Sequence, residues 1–230
     1  HRVRIARSGP RVRTAATSSP HTVRIADSGV TPRGDLYIAM EYLAGDSLDA
    51  RLKRCGRLNA VHAAQMAVQV LKSLQEAHAS TLVHRDLKPA NIFLCAIVGA
   101  PDFVKVIDFG IAKLTRREDG QALTQTGVVV GTPHYMSPEQ VQALPIDGRS
   151  DLYALGVVLF QCLSGRLPFV KATGLAVCIA HINEVPPALA RLVPGLDPLL
   201  EGIVVRAMAK RPEERFGSAQ EMLAALQQWL

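Results

Sequence analysis

Apolar positions along the chain change their period as it runs. TVRIADSGV (22–30) and DLYIAMEYL (35–43) read as two strands joined by a turn that contains Pro32 and Gly34. GDSLDARLKRCG (45–56) then reads as a short helix, with Asp46 or Ser47 at its cap and Gly56 just past its end. In NAVHAAQMAVQVLKSLQEAHAS (59–80), Ala67, Val70, Leu71, Leu74 and His78 fall at helical spacing and predict a long amphipathic helix. NIFL (91–94) and FVKVID (103–108) predict two short strands around a loop at 99–101. No element is evident from Gly110 to Pro145, and a loop that long in a compact domain is usually functional. SDLYALGVVLFQCLSG (150–165) is apolar nearly all round and predicts a buried core helix. Weaker helical patterns follow near 173–182 and 198–209, and a last one starts at Ser218 with Glu221 at capping-box spacing. Strands first and mostly helices after make the chain α+β. Residues 1–20 show neither period and read as an unstructured segment.

Charge alters the picture only at one end. The formal net charge is +6, yet residues 1–33 hold seven arginines and one acid, so the rest of the chain is balanced. A folded body without net charge gives no support to nucleic-acid binding. The longest apolar run, Leu152–Phe160, is far short of the roughly 20 residues a membrane span needs. The first residues lack the apolar core of a signal peptide. Cys55, Cys95, Cys162 and Cys178 are widely spaced, which predicts free thiols in a reducing compartment rather than a metal site.

One stretch is dense in chemistry: VHRDLKPANIFL (83–94) sets His84, Arg85, Asp86, Lys88 and Asn91 between apolar ends. With DFG (108–110), GTPHYMSPE (131–139), SDLYALG (150–156) and RPEER (211–215), it resembles the eukaryotic-type (Hanks-type) serine/threonine protein kinases that bacteria also carry. The resemblance runs from about residue 22 to 230, and five motifs in one order make it specific. It implies a kinase-like fold with a mostly helical large lobe (44–230), residual small-lobe strands and hinge (21–43), and an unstructured or misframed segment at 1–20. It also implies ATP-dependent phosphorylation of serine and threonine on protein substrates, with Mg²⁺ as cofactor.

The same resemblance assigns residues. Asp86 would receive the acceptor hydroxyl's proton, and Lys88 would neutralise the transferring group. Asn91 and Asp108 would offer the oxygen ligands that Mg²⁺ prefers. Met40 matches the gatekeeper, backbone groups of Glu41 and Leu43 would bond the adenine edge, Phe93 would floor it, and Asp46 or Ser47 could reach the ribose. In the activation segment Thr124 and Thr126 fit autophosphorylation sites, with Arg85 as partner for the phosphate. Thr132 would bond Asp86 and Lys88, and Lys88 with Thr132 argues for serine and threonine rather than tyrosine acceptors. His84, Phe109 and Gly110 take structural places, Glu139 would pair with Arg215, and Asp151 would brace the catalytic loop. His62 and His78 read as surface and packing residues of the long helix.

The chain departs from the family pattern at its start. No G-x-G-x-x-G occurs, the first lysine is Lys53, and the first glutamate is Glu41. With a first residue His rather than Met, this reads as an N-terminally truncated kinase that transfers phosphate poorly by itself; a frame error upstream of Ser18 is one origin for residues 1–20. A cytoplasmic kinase domain that phosphorylates protein substrates, and itself, is the expectation. Two rivals are a catalytically inactive pseudokinase or scaffold, and a small-molecule kinase of the antibiotic-phosphorylating type.

Overall fold

The computed structural model describes residues 19–97, 100–109 and 133–230. Gly110, Thr124, Thr126, Thr132 and the segment 1–18 lie outside the described residues.

Two small sheets stand at the front of the described chain. Strands β1 (Ile25–Val30) and β2 (Leu36–Met40) form an antiparallel hairpin in which Val30 faces Leu36 and Ile25 faces Met40. Its turn closes through bonds from the Thr31 N–H to the Asp35 carbonyl and from the Gly34 N–H to the Thr31 carbonyl. A second sheet has the order β3 (Gly45–Ser47), β4 (Ile92–Ile97), β5 (Ala100–Val106), all antiparallel. Residues 21–23 run along the outer edge of β5, where Val106 exchanges backbone bonds with His21 and Val23.

Strand β3 is absent from the sequence expectation, which took Gly45–Ser47 only as the lead-in to a helix. Its pairing depends on Gly45, whose φ of 147° and close approach to the Leu94 carbonyl leave no room for a Cβ. Helix α1 (Leu48–Cys55) follows, and the cap is Ser47, whose Oγ accepts from the Ala50 N–H.

Behind the sheets the chain is helical. Helix α2 (Ala60–Ala79) is capped by Asn59 and buries Ala67, Val70, Leu71 and Leu74, as its spacing predicts. A short helix α3 (Pro138–Val141) lies where the sequence showed no element. Its signal was present as the capping box Ser137–Gln140, in which each side chain bonds the other's backbone N–H. Helix α4 (Gly148–Ser164) is the axis of the fold: from Ser150 through Phe160 every residue is buried. Helices α5 (Gly174–Asn183), α6 (Leu189–Leu192), α7 (Pro198–Ala207) and α8 (Ala219–Trp229) complete the described chain. Helix α4 packs on α2, α7 and α8, so one apolar core joins Leu71 and Leu74 to Leu155, Val204, Met222 and Leu226. At α8 the capping box is half formed: Ser218 accepts from the Glu221 N–H, while the Glu221 carboxylate takes the Gly217 N–H instead.

All four cysteines are free thiols; Cys95, Cys162 and Cys178 are buried and Cys55 is exposed. Among the described residues no helix is long and apolar enough to cross a membrane.

Candidate active site

The segment from the end of α2 to β4 is irregular, yet hardly any of it is loose. Leu87 and Pro89 point into the core, and a 3₁₀ turn over Pro89–Asn91 leads into β4. The buried Asp151 carboxylate, one turn into α4, accepts from the backbone N–H groups of His84 and Arg85, both at 2.9 Å, and from His78 Nε2 at 2.8 Å. A carboxylate buried in an apolar helix is tolerable only when its oxygens are matched in this way. His78 therefore has a bonding role that reading it as a packing residue missed.

Arg85 and Asp108 both adopt left-handed backbone, with φ of 66° and 60°. Such angles are uncommon for residues other than glycine and cluster where surrounding contacts impose them. For Arg85 the contacts are visible: its N–H is held by Asp151, and its carbonyl accepts from Gln140 Nε2 at 2.8 Å. Gln140 thus ties α3 to this loop, a role the sequence reading did not assign. His84 is fully buried and packs against Phe109, with ring centroids 4.7 Å apart and the planes tilted by 51°. Its Nε2 bonds the Ile107 carbonyl at 2.9 Å, and its Nδ1 accepts from the Asp86 N–H. This imidazole spends both nitrogens on backbone and holds the two ends of the site together.

The turn aims Asp86, Lys88 and Asn91 at one another. Lys88 Nζ lies 2.8 Å from Asp86 Oδ2, and Asn91 Nδ2 donates to the Asp86 carbonyl at 2.8 Å and to Oδ2 at 3.4 Å. The Asp86 carboxylate remains about half exposed, so it is positioned and still open to a ligand. The Ile107 N–H donates to the Asn91 carbonyl at 3.0 Å, which brings Asp108 beside Asn91. The Asp108 side chain is exposed and has no hydrogen-bond or ion partner among the described residues.

Glu41 ties the hinge to both neighbours. Its Oε1 accepts from the Arg24 N–H at 2.8 Å and from Lys105 Nζ at 2.7 Å. Burial alone would raise this carboxyl, but Lys105 and the Arg24 N–H outweigh it and hold it below the usual carboxylate range. The Glu41 carbonyl and the Leu43 N–H have no partner among the described residues. Phe93 stands opposite Lys105 on β4 and is half-buried, while Met40 is exposed. Asp46 is engaged with Arg54 at 2.9 Å, and Ser47 is occupied as the α1 cap.

On the far side of the loop, Glu139 and Arg215 form a bidentate pair at 2.7 and 2.8 Å. Ser150 Oγ also donates to Glu139.

A sequence model of the protein kinase domain matches residues 12–227. The chain belongs to the protein kinase family. Among curated proteins this kinase is 44% identical over 211 residues to the serine/threonine-protein kinase pkn3 of Myxococcus xanthus. It is 45% identical over 205 residues to Pkn1 of the same organism, and 38% identical over 215 residues to PknB of Mycobacterium tuberculosis (strain ATCC 25618 / H37Rv). These alignments take in 90%, 89% and 92% of this chain but only 39%, 29% and 34% of the relatives' lengths. Among solved structures, that of the Mycobacterium tuberculosis PknI kinase domain superposes with a TM-score of 0.70 at 26% identity, covering 92% of this chain and 72% of that one.

The donor set suits Mg²⁺. Asn91 and Asp108 offer an amide and a carboxylate oxygen, and Mg²⁺ is commonly held by one or two such groups plus substrate phosphates and water. Among the described residues no group of three His, Cys, Asp or Glu is placed to hold an ion.

Proposed function

We propose that this kinase transfers the γ-phosphoryl group of ATP to serine and threonine hydroxyls of protein substrates. The observation that carries the reading is the Asp86 carboxylate, held by Lys88 and Asn91 on a loop that Asp151 clamps at two consecutive N–H groups. Asp86 accepts the proton of the incoming hydroxyl. Lys88, 2.8 Å away, keeps that carboxylate oriented and places a positive charge where the transferring group gains negative charge. Asn91 and Asp108 hold Mg²⁺ through oxygen; the ion supplies charge neutralisation on the phosphate oxygens when bound. The free Glu41 carbonyl and Leu43 N–H receive the adenine edge, with Phe93 beneath it. Asp46 bonds Arg54 through Oδ2 alone and Ser47 Oγ only accepts from the Ala50 N–H, so the Asp46 Oδ1 and the Ser47 hydroxyl hydrogen are proposed to reach the ribose. Thr132 as a bracket for Asp86 and Lys88, and Gly110 as the pivot after Phe109, complete the proposed site, and Thr124 and Thr126 are proposed self-phosphorylation positions. The domain boundaries proposed are hinge and strands over 21–43 and large lobe over 44–230.

The test is transfer of labelled γ-phosphate to protein acceptors by residues 1–230, and by a version extended with the family's glycine-rich loop and strand lysine. Label on serine or threonine that falls about 10²–10⁴-fold in Asp86→Asn is the expected result. Label on tyrosine, or a rate that Asp86→Asn leaves within tenfold, contradicts it. Binding without transfer by the extended version favours the scaffold reading.

A further inference from the structure

Three arginines surround a cavity that the catalytic reading does not use. Arg57, Arg166 and Arg191, with Gly56, Ser164 and Gly165, line a volume of about 520 Å³ where the C-terminal ends of α1, α4 and α6 meet. Among the described residues no acidic one lines it. The neighbouring cations behave differently: Lys53 is paired with Asp49 at 2.7 Å and Arg54 with Asp46 at 2.9 Å. None of the three arginine side chains has a hydrogen-bond or ion partner among the described residues. All three are exposed, so water screens their mutual repulsion, yet the shared rim still favours a compensating negative charge. The helix ends do part of this, since each C-terminus carries about half a negative charge. The two long enough to matter, α1 and α4, leave roughly two positive charges over.

The floor of the cavity is rigid. Gly56 and Gly165 cap their helices at φ of 75° and 73°, and a Cβ on Gly165 would come within 3.0 Å of the Gly56 carbonyl. The Leu58 N–H donates to the Cys162 carbonyl at 2.7 Å and fixes one loop to the other. Arg57 and Arg166 therefore leave from backbone that cannot drift apart.

We propose that this cavity binds a phosphorylated serine or threonine segment of a protein. A phosphomonoester carries about −1.5 to −2 charge at neutral pH, close to the surplus, and guanidinium forks match its oxygens in pairs. The volume lies in the range of about 300–1,000 Å³ typical of ligand sites, so residues flanking the phosphate fit beside it. Such segments are the products of the proposed activity, and in that respect alone the inference rests on it.

Fluorescence anisotropy of the 230-residue chain with a fluorescein-labelled Ala-Gly-phosphoThr-Gly-Ala peptide, and with its unphosphorylated twin, tests this. The phosphopeptide is expected to bind at least about tenfold tighter than the twin. The double variant Arg166→Gln, Arg191→Gln is expected to lose about tenfold or more, with Lys53→Gln within about twofold of the parent and all three showing the same circular dichroism. Arg57→Gln alone gives a second, independent loss in the same direction. Equal binding of both peptides, or binding unchanged by the arginine variants, overturns the proposal. Inorganic phosphate matching the phosphopeptide in affinity would make this a free-anion site and also overturn it. Loss of phosphopeptide binding in Asp108→Asn would place the peptide at the nucleotide site instead. Failure of transfer in the Asp86→Asn assay leaves this binding result unaffected, so the two readings fail separately.

Discussion

Substituting Glu139 by glutamine puts the most weight on a single pair of side chains. Arg215 is buried, and all five of its N–H donors are used. Two go to the Glu139 carboxylate at 2.7 and 2.8 Å, and three to the carbonyls of Ala209, Arg149 and Lys210 at 2.8, 3.1 and 2.9 Å. A glutamine side chain there would keep one acceptor oxygen, present an amide N–H to a guanidinium, and leave the arginine charge uncompensated away from water. Breaking such a pair from one side costs about 3–5 kcal/mol. At about 2–4 °C per kcal/mol for a chain of this size, the melting temperature should fall by roughly 6–20 °C. The assay is urea denaturation of Glu139→Gln and of Glu184→Gln, whose exposed partner Lys171 lies at 2.7 Å. The exposed pair should cost at most about 1 kcal/mol. Burial would raise the Glu139 carboxyl, but the bonds from Arg215 and Ser150 and the charge of Arg215 outweigh it, so it sits below the ordinary value of 4.5. A depressed folded pKa means its contribution is present above the unfolded value and is lost as pH falls through the folded one. The gap between parent and variant should therefore narrow in acid. A loss below about 1 kcal/mol at pH 7, indistinguishable from the exposed pair, would refute the reasoning.

The remaining expectations are briefer. Asp151→Asn replaces one acceptor oxygen by a donor facing an N–H; it should cost about 1.5–3 kcal/mol and lower kcat more than it raises KM for ATP, read by thermal melting with steady-state kinetics. In the version extended with the family's glycine-rich loop and strand lysine, incubation with ATP and Mg²⁺ should place phosphate on Thr124 or Thr126, and mass spectrometry finding neither modified removes that expectation.

The helices were legible because each buries a face with its own period and carries its own cap. Gly56 after α1 and Ser218 before α8 are local signals, decided within four residues. The hairpin β4–β5 was legible for the same reason. Three elements escaped, the third being the single turn α6 at Leu189–Leu192. Strand β3 is three residues long and exists through pairing with Cys95, Leu94 and Phe93, far along the chain. Helix α3 is a single turn, too short for periodicity, and only its capping box announced it. At the site, the motifs gave Asp86, Lys88, Asn91 and Asp108 together. What they did not give were the supports that bond across long separations: His78 to Asp151, Gln140 to Arg85 and Lys105 to Glu41. Those partners are polar residues on otherwise ordinary elements, and only folding shows which carboxylate or carbonyl each one meets.

Isothermal titration of a non-hydrolysable ATP analogue into the 230-residue chain, with Mg²⁺ and with chelator, tests the central claim most directly. Asp108 and Asn91 are taken to hold nucleotide through the metal, so binding should require Mg²⁺ and weaken about tenfold or more in Asp108→Asn. Affinity that is the same without Mg²⁺, or unchanged in Asp108→Asn, would contradict the account.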